Sequence, residues 1–202
     1  MYTLYYVNGA CSLATQTVLH ELGEPVEIIE KSQAKNFAEI NPVGTVPVLI
    51  DGEKILTEGA AVMIYLLDKH NSVMLPKGGE ARDQAIQNLM FSNATMHPAY
   101  GRLFFIAQNI TDQDAKTEAF IAAADSISAL WKVIEDQLQD KPYLGGDLPS
   151  AADILLSVYS RWGEFFPVDI MVGKKVKEMT QAVINRPSFQ LALMEEQKQV
   201  AA

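Results

Sequence analysis

One cysteine in 202 residues rules out an internal disulfide framework, and with no Cys-x-x-Cys pair a two-thiol oxidoreductase is excluded. No apolar run approaches the roughly 18 residues of a membrane-spanning helix; the longest useful stretch, Ala60 to Leu67, includes Tyr65. Positive charge is scarce as well. Sixteen Lys and Arg face 25 Asp and Glu, giving a net charge of −9 with the cations scattered. Phosphate backbones need a basic surface, so nucleic acid is not expected as a partner, and neither is a membrane. With 12 Gly and 9 Pro there is no low-complexity tract, and no internal repeat is visible. The chain starts directly in an aromatic strand with no basic leader, so a cytoplasmic protein is expected. No metal site is expected either.

What is present falls into two rhythms. Tyr2 to Val7 is aromatic and β-branched and reads as a strand. Asn8-Gly9 is a turn, and Ser12 to Leu22 repeats apolar residues at helical spacing up to Gly23. Pro25 to Glu30 reads as a second strand and Lys31 to Ile40 as a short helix. Val46 to Ile50 and Glu53 to Leu56 flank Asp51-Gly52, the strongest short-range hairpin signal. Glu58 to Lys69 is a third helix, completing a βαβαββα order and a mixed sheet. Residues 76–79, with Pro76, Gly78 and Gly79, read as a linker between a domain at 1–75 and an all-helical one at 80–202. There the helical period persists over Ala81–Asn109, Asp112–Gln139, Ala151–Phe166, Lys174–Asn185 and Phe189–Gln199. Ser150-Ala151-Ala152-Asp153 is a capping box with Asp in the usual Glu or Gln place. The expected fold class is α/β followed by all-α.

The chemistry concentrates in the first domain. Cys11 sits where the first strand ends and the first helix begins, where unshared N–H groups favour a thiolate. The competing reading is a small buried hydrophobe. Ser12 is either a hydrogen-bond donor to that thiol or an ordinary N-cap. Tyr5 and Tyr6 point to opposite strand faces, so at most one reaches the site. Pro47 cannot donate to a sheet ladder, which places an edge, bulge or cis peptide in Val46-Pro47-Val48-Leu49 and leaves backbone able to pair with a peptide-like ligand. Glu58 precedes Gly59 at a helix start, a combination suited to an ammonium beside a carboxylate. His97 lies mid-helix before Pro98, where a kink is expected to open a cavity; a structural His is the alternative. Trp131, Trp162 and the methionines read as core.

These residues, in this order, resemble the glutathione transferases over nearly the whole chain. The pattern is Asn41-Pro42-x-Gly44-x-Val46-Pro47-Val48-Leu49, then Leu56-Thr57-Glu58-Gly59, Tyr65-Leu66 and Ser150-x-x-Asp153. Gly9-Ala10-Cys11-Ser12-Leu13 is most similar to the bacterial beta class. The resemblance implies a thioredoxin-like first domain and a helical second domain carrying the electrophile pocket. It implies that Pro47 is the cis proline, that the Val46 backbone pairs with the cysteinyl unit of glutathione, and that Glu58 and the Gly59 N–H hold the γ-glutamyl end. Ala10 and Cys11 would line the sulfur, with Tyr6, Ser12 and His97 alongside as catalytic groups. The glutathione-binding Lys of the class is matched by Lys31 or Lys35, and Lys35 is carried among the binding residues. Pro98 departs from the class, which has Lys there.

The implied activity is glutathione transfer: reduced glutathione as co-substrate, a small hydrophobic electrophile as acceptor, a detoxifying role and a homodimer. An apolar face at Ala60, Val62, Met63 and Ile64 is compatible with that dimer. Two other readings are carried. Cys11 is itself the nucleophile for thiol transfer or disulfide reduction, or the fold is a non-catalytic protein-interaction module.

Overall fold

The structure, a computed structural model, describes residues 1–200. By its internal contacts the chain forms two compact units, Met1–Asp83 together with the segment from Ile184 onward, and Gln84–Val183.

The first unit is built on β1 (Tyr2–Tyr6), α1 (Ser12–Glu21), β2 (Val26–Glu30), a 3-10 turn at Lys31–Gln33, the single turn α2 (Phe37–Ile40), β3 (Val48–Asp51), β4 (Lys54–Thr57) and α3 (Gly59–Lys69). The strands order as β2-β1-β3-β4. β1 and β2 run parallel with Tyr2 opposite Val26 and Tyr6 opposite Glu30, α1 being the crossover. β1 and β3 are antiparallel, as is the β3–β4 hairpin over Asp51-Gly52. This is the mixed sheet and βαβαββα order expected. Alternation along β1 buries Tyr2, Leu4 and Tyr6, while Tyr5 turns to the other face and packs edge-on against Phe37. The short helix expected over Lys31 to Ile40 is broken in two, with Asn36 between the pieces at φ +59. Pro47 lies just outside β3, where it withholds no ladder hydrogen bond.

The helices continue as α4 (Gly79–Met90), a π-helical turn at Phe91–Met96, α5 (His97–Asn109), α6 (Gln113–Leu138), α7 (Ala151–Ser160), a 3-10 turn at Trp162–Phe165, α8 (Lys174–Ile184) and α9 (Pro187–Val200). The break foreseen at Pro98 takes the form of that π turn. A proline ring clashes with the carbonyl four residues back, and widening the preceding turn relieves the clash. Trp131 and Trp162 are buried in the second unit, as their helical spacing predicts, together with Tyr100 and Tyr159, and Trp131 Nε1 donates to the Tyr100 hydroxyl at 2.9 Å. Of the methionines read as core, Met63, Met96 and Met179 are buried whereas Met1, Met90, Met171 and Met194 are exposed. The Ser150 capping box is complete: Asp153 accepts from the Leu144, Gly145 and Ser150 N–H groups and from Ser150 Oγ.

Two expectations change. The helical pattern from Phe189 onward reads as part of the all-helical domain, but α9 packs on α1 in the first unit. Ion pairs and hydrogen bonds fix it there. Arg186 pairs bidentately with Glu21 at 2.6 and 2.7 Å, Ser188 bonds the same carboxylate, and Glu195 takes Gln16 at 2.6 Å and His20 at 3.0 Å. α1 is thereby covered by the sheet, α3 and α9, which is why Ser12 through Leu19 are all buried. The second change concerns α3. Ala60, Val62 and Met63 are spent in the core of the first unit, leaving Ile64 half-buried, so those three side chains are not themselves free to meet a second subunit.

Candidate active site

The turn joining β1 to α1 presents Cys11. Gly9 adopts φ +70, a left-handed conformation that L side chains rarely take, and a reverse turn closes with Ala10 N donating to Val7 O at 3.0 Å. Cys11 is the N-cap of α1. Its Sγ donates to the Val46 carbonyl at 3.3 Å. Ser12 is buried, and its hydroxyl sits 3.4 Å from both the N–H and the C=O of Val7, stitching the strand end to the helix start. In this geometry the hydroxyl is a structural tie as well as a neighbour of the thiol.

The expectation that the helix start lowers the Cys11 pKa is reversed. The backbone N–H groups of Cys11 and Ser12 do favour the thiolate, but burial outweighs them and the nearby Glu58 carboxylate adds to the rise, pushing the thiol up to about 11. Free cysteine titrates near 8.5, so at neutral pH Cys11 is a thiol and a hydrogen-bond donor.

Opposite it, the Val46–Pro47 peptide is cis. Asn41, almost fully buried, organises the approach: its side chain donates to Thr45 O at 2.8 Å and accepts from Val43 N at 3.2 Å, while Gly44 N donates to Asn41 O at 2.9 Å. The Asn-Pro-x-Gly order carries the signal for this loop. The Val46 N–H has no intramolecular acceptor among the described residues. Lys31 is engaged, donating to Gly44 O at 2.5 Å and lying over the Phe37 ring. Lys35 is exposed on the segment that leads to α2.

Glu58 precedes α3 at φ +67 and ψ 108, outside the conformations an L residue favours, a cost of about 1–3 kcal/mol. Its side chain is exposed and caps nothing, so the first-turn N–H groups from Gly59 on keep no side-chain acceptor. Ala10, Cys11, Val46, Pro47, Glu58 and Gly59 thus all belong to the first unit.

Two of the expected catalytic groups are enclosed by their own surroundings. Tyr6 is wholly buried, its hydroxyl without a hydrogen-bond partner among the described residues, and burial followed by the charges of Glu196 and Glu30 raises its pKa. That hydroxyl reaches no surface in this geometry. His97 belongs to the second unit, where its ring packs edge-on against Tyr159 and Trp162 at 5.2 and 5.3 Å and burial depresses its pKa. One residue that sequence reasoning missed is Glu196 on α9, whose Oε2 accepts the Gly9 N–H at 2.8 Å. Nothing in Met194-Glu195-Glu196-Gln197 signals a partner so distant in sequence. Among the described residues no group of His, Cys, Asp and Glu is placed to hold a metal, and no helix is long and apolar enough to cross a membrane.

Comparison with known proteins places this geometry in a family. Residues 15–77 match the family model of the glutathione S-transferase N-terminal domain. A glutathione S-transferase of Xanthomonas campestris pv. campestris, GST-4.5, is 29% identical over 96% of this chain and 98% of its own. The solved ternary complex of BphK, a bacterial glutathione transferase, superposes with a TM-score of 0.84 at 30% identity, covering 96% of this chain and 98% of that one. A sphingomonad glutathione S-transferase complexed with glutathione gives a TM-score of 0.84 at 28% identity over the same shares. The chain belongs to the glutathione transferase superfamily.

Proposed function

We propose that the protein binds reduced glutathione against the first unit and promotes attack of its thiolate on a small hydrophobic electrophile. The observation that carries this is the convergence of three groups suited to a zwitterionic γ-glutamyl peptide. They are the Val46 backbone, with its N–H unspent, the uncapped start of α3 beside the strained Glu58, and the Cys11 S–H directed at Val46. The Glu58 carboxylate would take the γ-glutamyl ammonium and the Gly59 N–H its carboxylate. Val46 would pair with the cysteinyl backbone. Lys35, exposed where Lys31 is engaged, would face the glycyl carboxylate.

In the reaction the glutathione sulfur gives its proton to solvent, attacks the electrophilic carbon, and the leaving group departs with the bonding electrons. The site lowers the barrier by holding the sulfur in place and stabilising its charge. Moving a thiol pKa by two units takes about 2.7 kcal/mol, within reach of a helix start and a thiol or hydroxyl donor. A neutral Cys11 supplies such a donor once its S–H turns from the Val46 carbonyl to the glutathione sulfur. For the same reason thiol transfer through Cys11 itself ranks second, because its thiolate is scarce at neutral pH. The homodimer, cytoplasmic location and detoxifying role of the family are carried into the proposal with its membership; sedimentation of the purified chain tests the first.

The experiment is calorimetry of glutathione binding to wild type, Cys11→Ala and Glu58→Ala, followed by conjugation of a generic aryl halide. Binding lost in Glu58→Ala with conjugation retained in Cys11→Ala supports the transferase. Activity abolished in Cys11→Ala moves the assignment to thiol transfer. No binding by wild type sinks both and leaves an interaction module.

A further inference from the structure

The Cys11 turn is held from behind by the far end of the chain. Gly9 and Glu196 are separated by 187 positions, yet the Gly9 N–H donates to Glu196 Oε2 at 2.8 Å, and Glu196 is only 1% exposed. A carboxyl group is rarely withdrawn from water to that degree unless hydrogen bonds hold it there. The neighbouring Glu195 bonds Gln16 and His20 of α1, which holds α9 against α1 at this point. Gly9, with its left-handed backbone, lies two residues before Cys11, whose Sγ donates to Val46. A hydrogen bond from that amide to the carboxyl oxygen is therefore placed to hold the orientation of the turn.

We propose that Glu196 is a positioning residue of the active site. The buried carboxylate on α9 fixes the Gly9–Cys11 turn, so the C-terminal helix is part of the site's machinery while touching neither substrate. This rests on the glutathione reading for its effect on turnover, and on the structure alone for its effect on the turn.

Two conservative variants keep α9 in place and separate the possibilities. In Glu196→Gln the side-chain oxygen still reaches Gly9 and accepts its N–H; in Glu196→Asp the acceptor is withdrawn by one methylene. Hydrogen exchange at Gly9, followed by NMR, is expected to run about tenfold faster in the Asp variant and near the wild-type rate in the Gln variant. KM for glutathione should rise in the Asp variant alone. Arg186→Lys, which loosens α9 away from the turn, serves as the control and should leave Gly9 exchange unchanged. The proposal is overturned if Gln and Asp behave alike at Gly9, if Arg186→Lys reproduces the effect, or if faster exchange leaves the kinetics of an active enzyme untouched. Should wild type prove inert towards glutathione, the functional reading falls, and Gly9 exchange together with the alkylation rate of Cys11 still decides this one.

Discussion

Cys11 Sγ donates to the Val46 carbonyl across 3.3 Å, which ties the only thiol of the chain to the backbone that precedes the cis proline. Burial pushes its pKa up to about 11, well above the ordinary value near 8.5, so the sulfur stays a thiol at neutral pH. Alkylation by iodoacetamide should therefore stay slow at neutral pH and climb tenfold per pH unit until it levels near 11. Stability follows the same asymmetry. Well below pH 8.5 folded and unfolded chains both keep the proton; between about 8.5 and 11 the unfolded chain loses it first, so stability falls as pH rises through that window. Cys11→Ala should remove that part of the alkaline loss in chemical denaturation. A plateau in alkylation near pH 8 would contradict the assignment.

Glu58 holds a backbone conformation that suits glycine better than any L residue. Glu58→Gly should relieve about 1–3 kcal/mol of strain while adding about 0.5–1 kcal/mol of unfolded-state entropy, for a net gain of about 1 kcal/mol. Glutathione affinity should fall at least about tenfold, since a charge-assisted contact to the ammonium is lost. Urea unfolding and calorimetry read the two effects separately. A variant more stable and still tight-binding would remove Glu58 from the ligand's contacts.

How far the sequence alone reaches is visible in these residues. The change of period from two to 3.6, the Asp51-Gly52 hairpin and the Ser150–Asp153 box are local signals, and each appears in the structure where expected. The environment of Cys11 is not local. Its helix-start N–H groups are legible, but the burial that outweighs them comes from segments distant in sequence. α9 has the same helical period whether it packs on the sheet unit or on the helical one, so its docking on α1 and the Glu196–Gly9 bond had no signature. Tyr6 could be narrowed to one strand face, and only the layer above that face shows it to be sealed.

The capping box invites a graded test. Ser150→Ala removes one cap acceptor and should cost about 1 kcal/mol. Asp153 is fully buried and satisfies three backbone N–H groups as well as the Ser150 hydroxyl, so Asp153→Ala strands several donors and should cost about 3 kcal/mol or more. Equal losses in the two variants would mean that the Asp153 bonds to Leu144 and Gly145 contribute little.

His97 provides a test at acidic pH. Its ring lies between Tyr159 and Trp162, and burial holds its pKa below the ordinary 6.5. As pH falls through 6.5 the unfolded chain takes up a proton that the native imidazole resists, so the unfolded state binds more protons and stability drops. The contribution is whole above pH 6.5 and is lost as pH falls through the depressed native pKa. His97→Phe preserves a ring between the two aromatics and removes the titration, so its stability should decline less than that of wild type from pH 6.5 downward. The His97 resonance, identified by its absence in the variant, should titrate with a midpoint below 6.5 in NMR spectra of the native protein. An ordinary midpoint, or parallel pH–stability curves for the two proteins, would place the imidazole in contact with water and return it to the set of groups able to exchange a proton near neutrality.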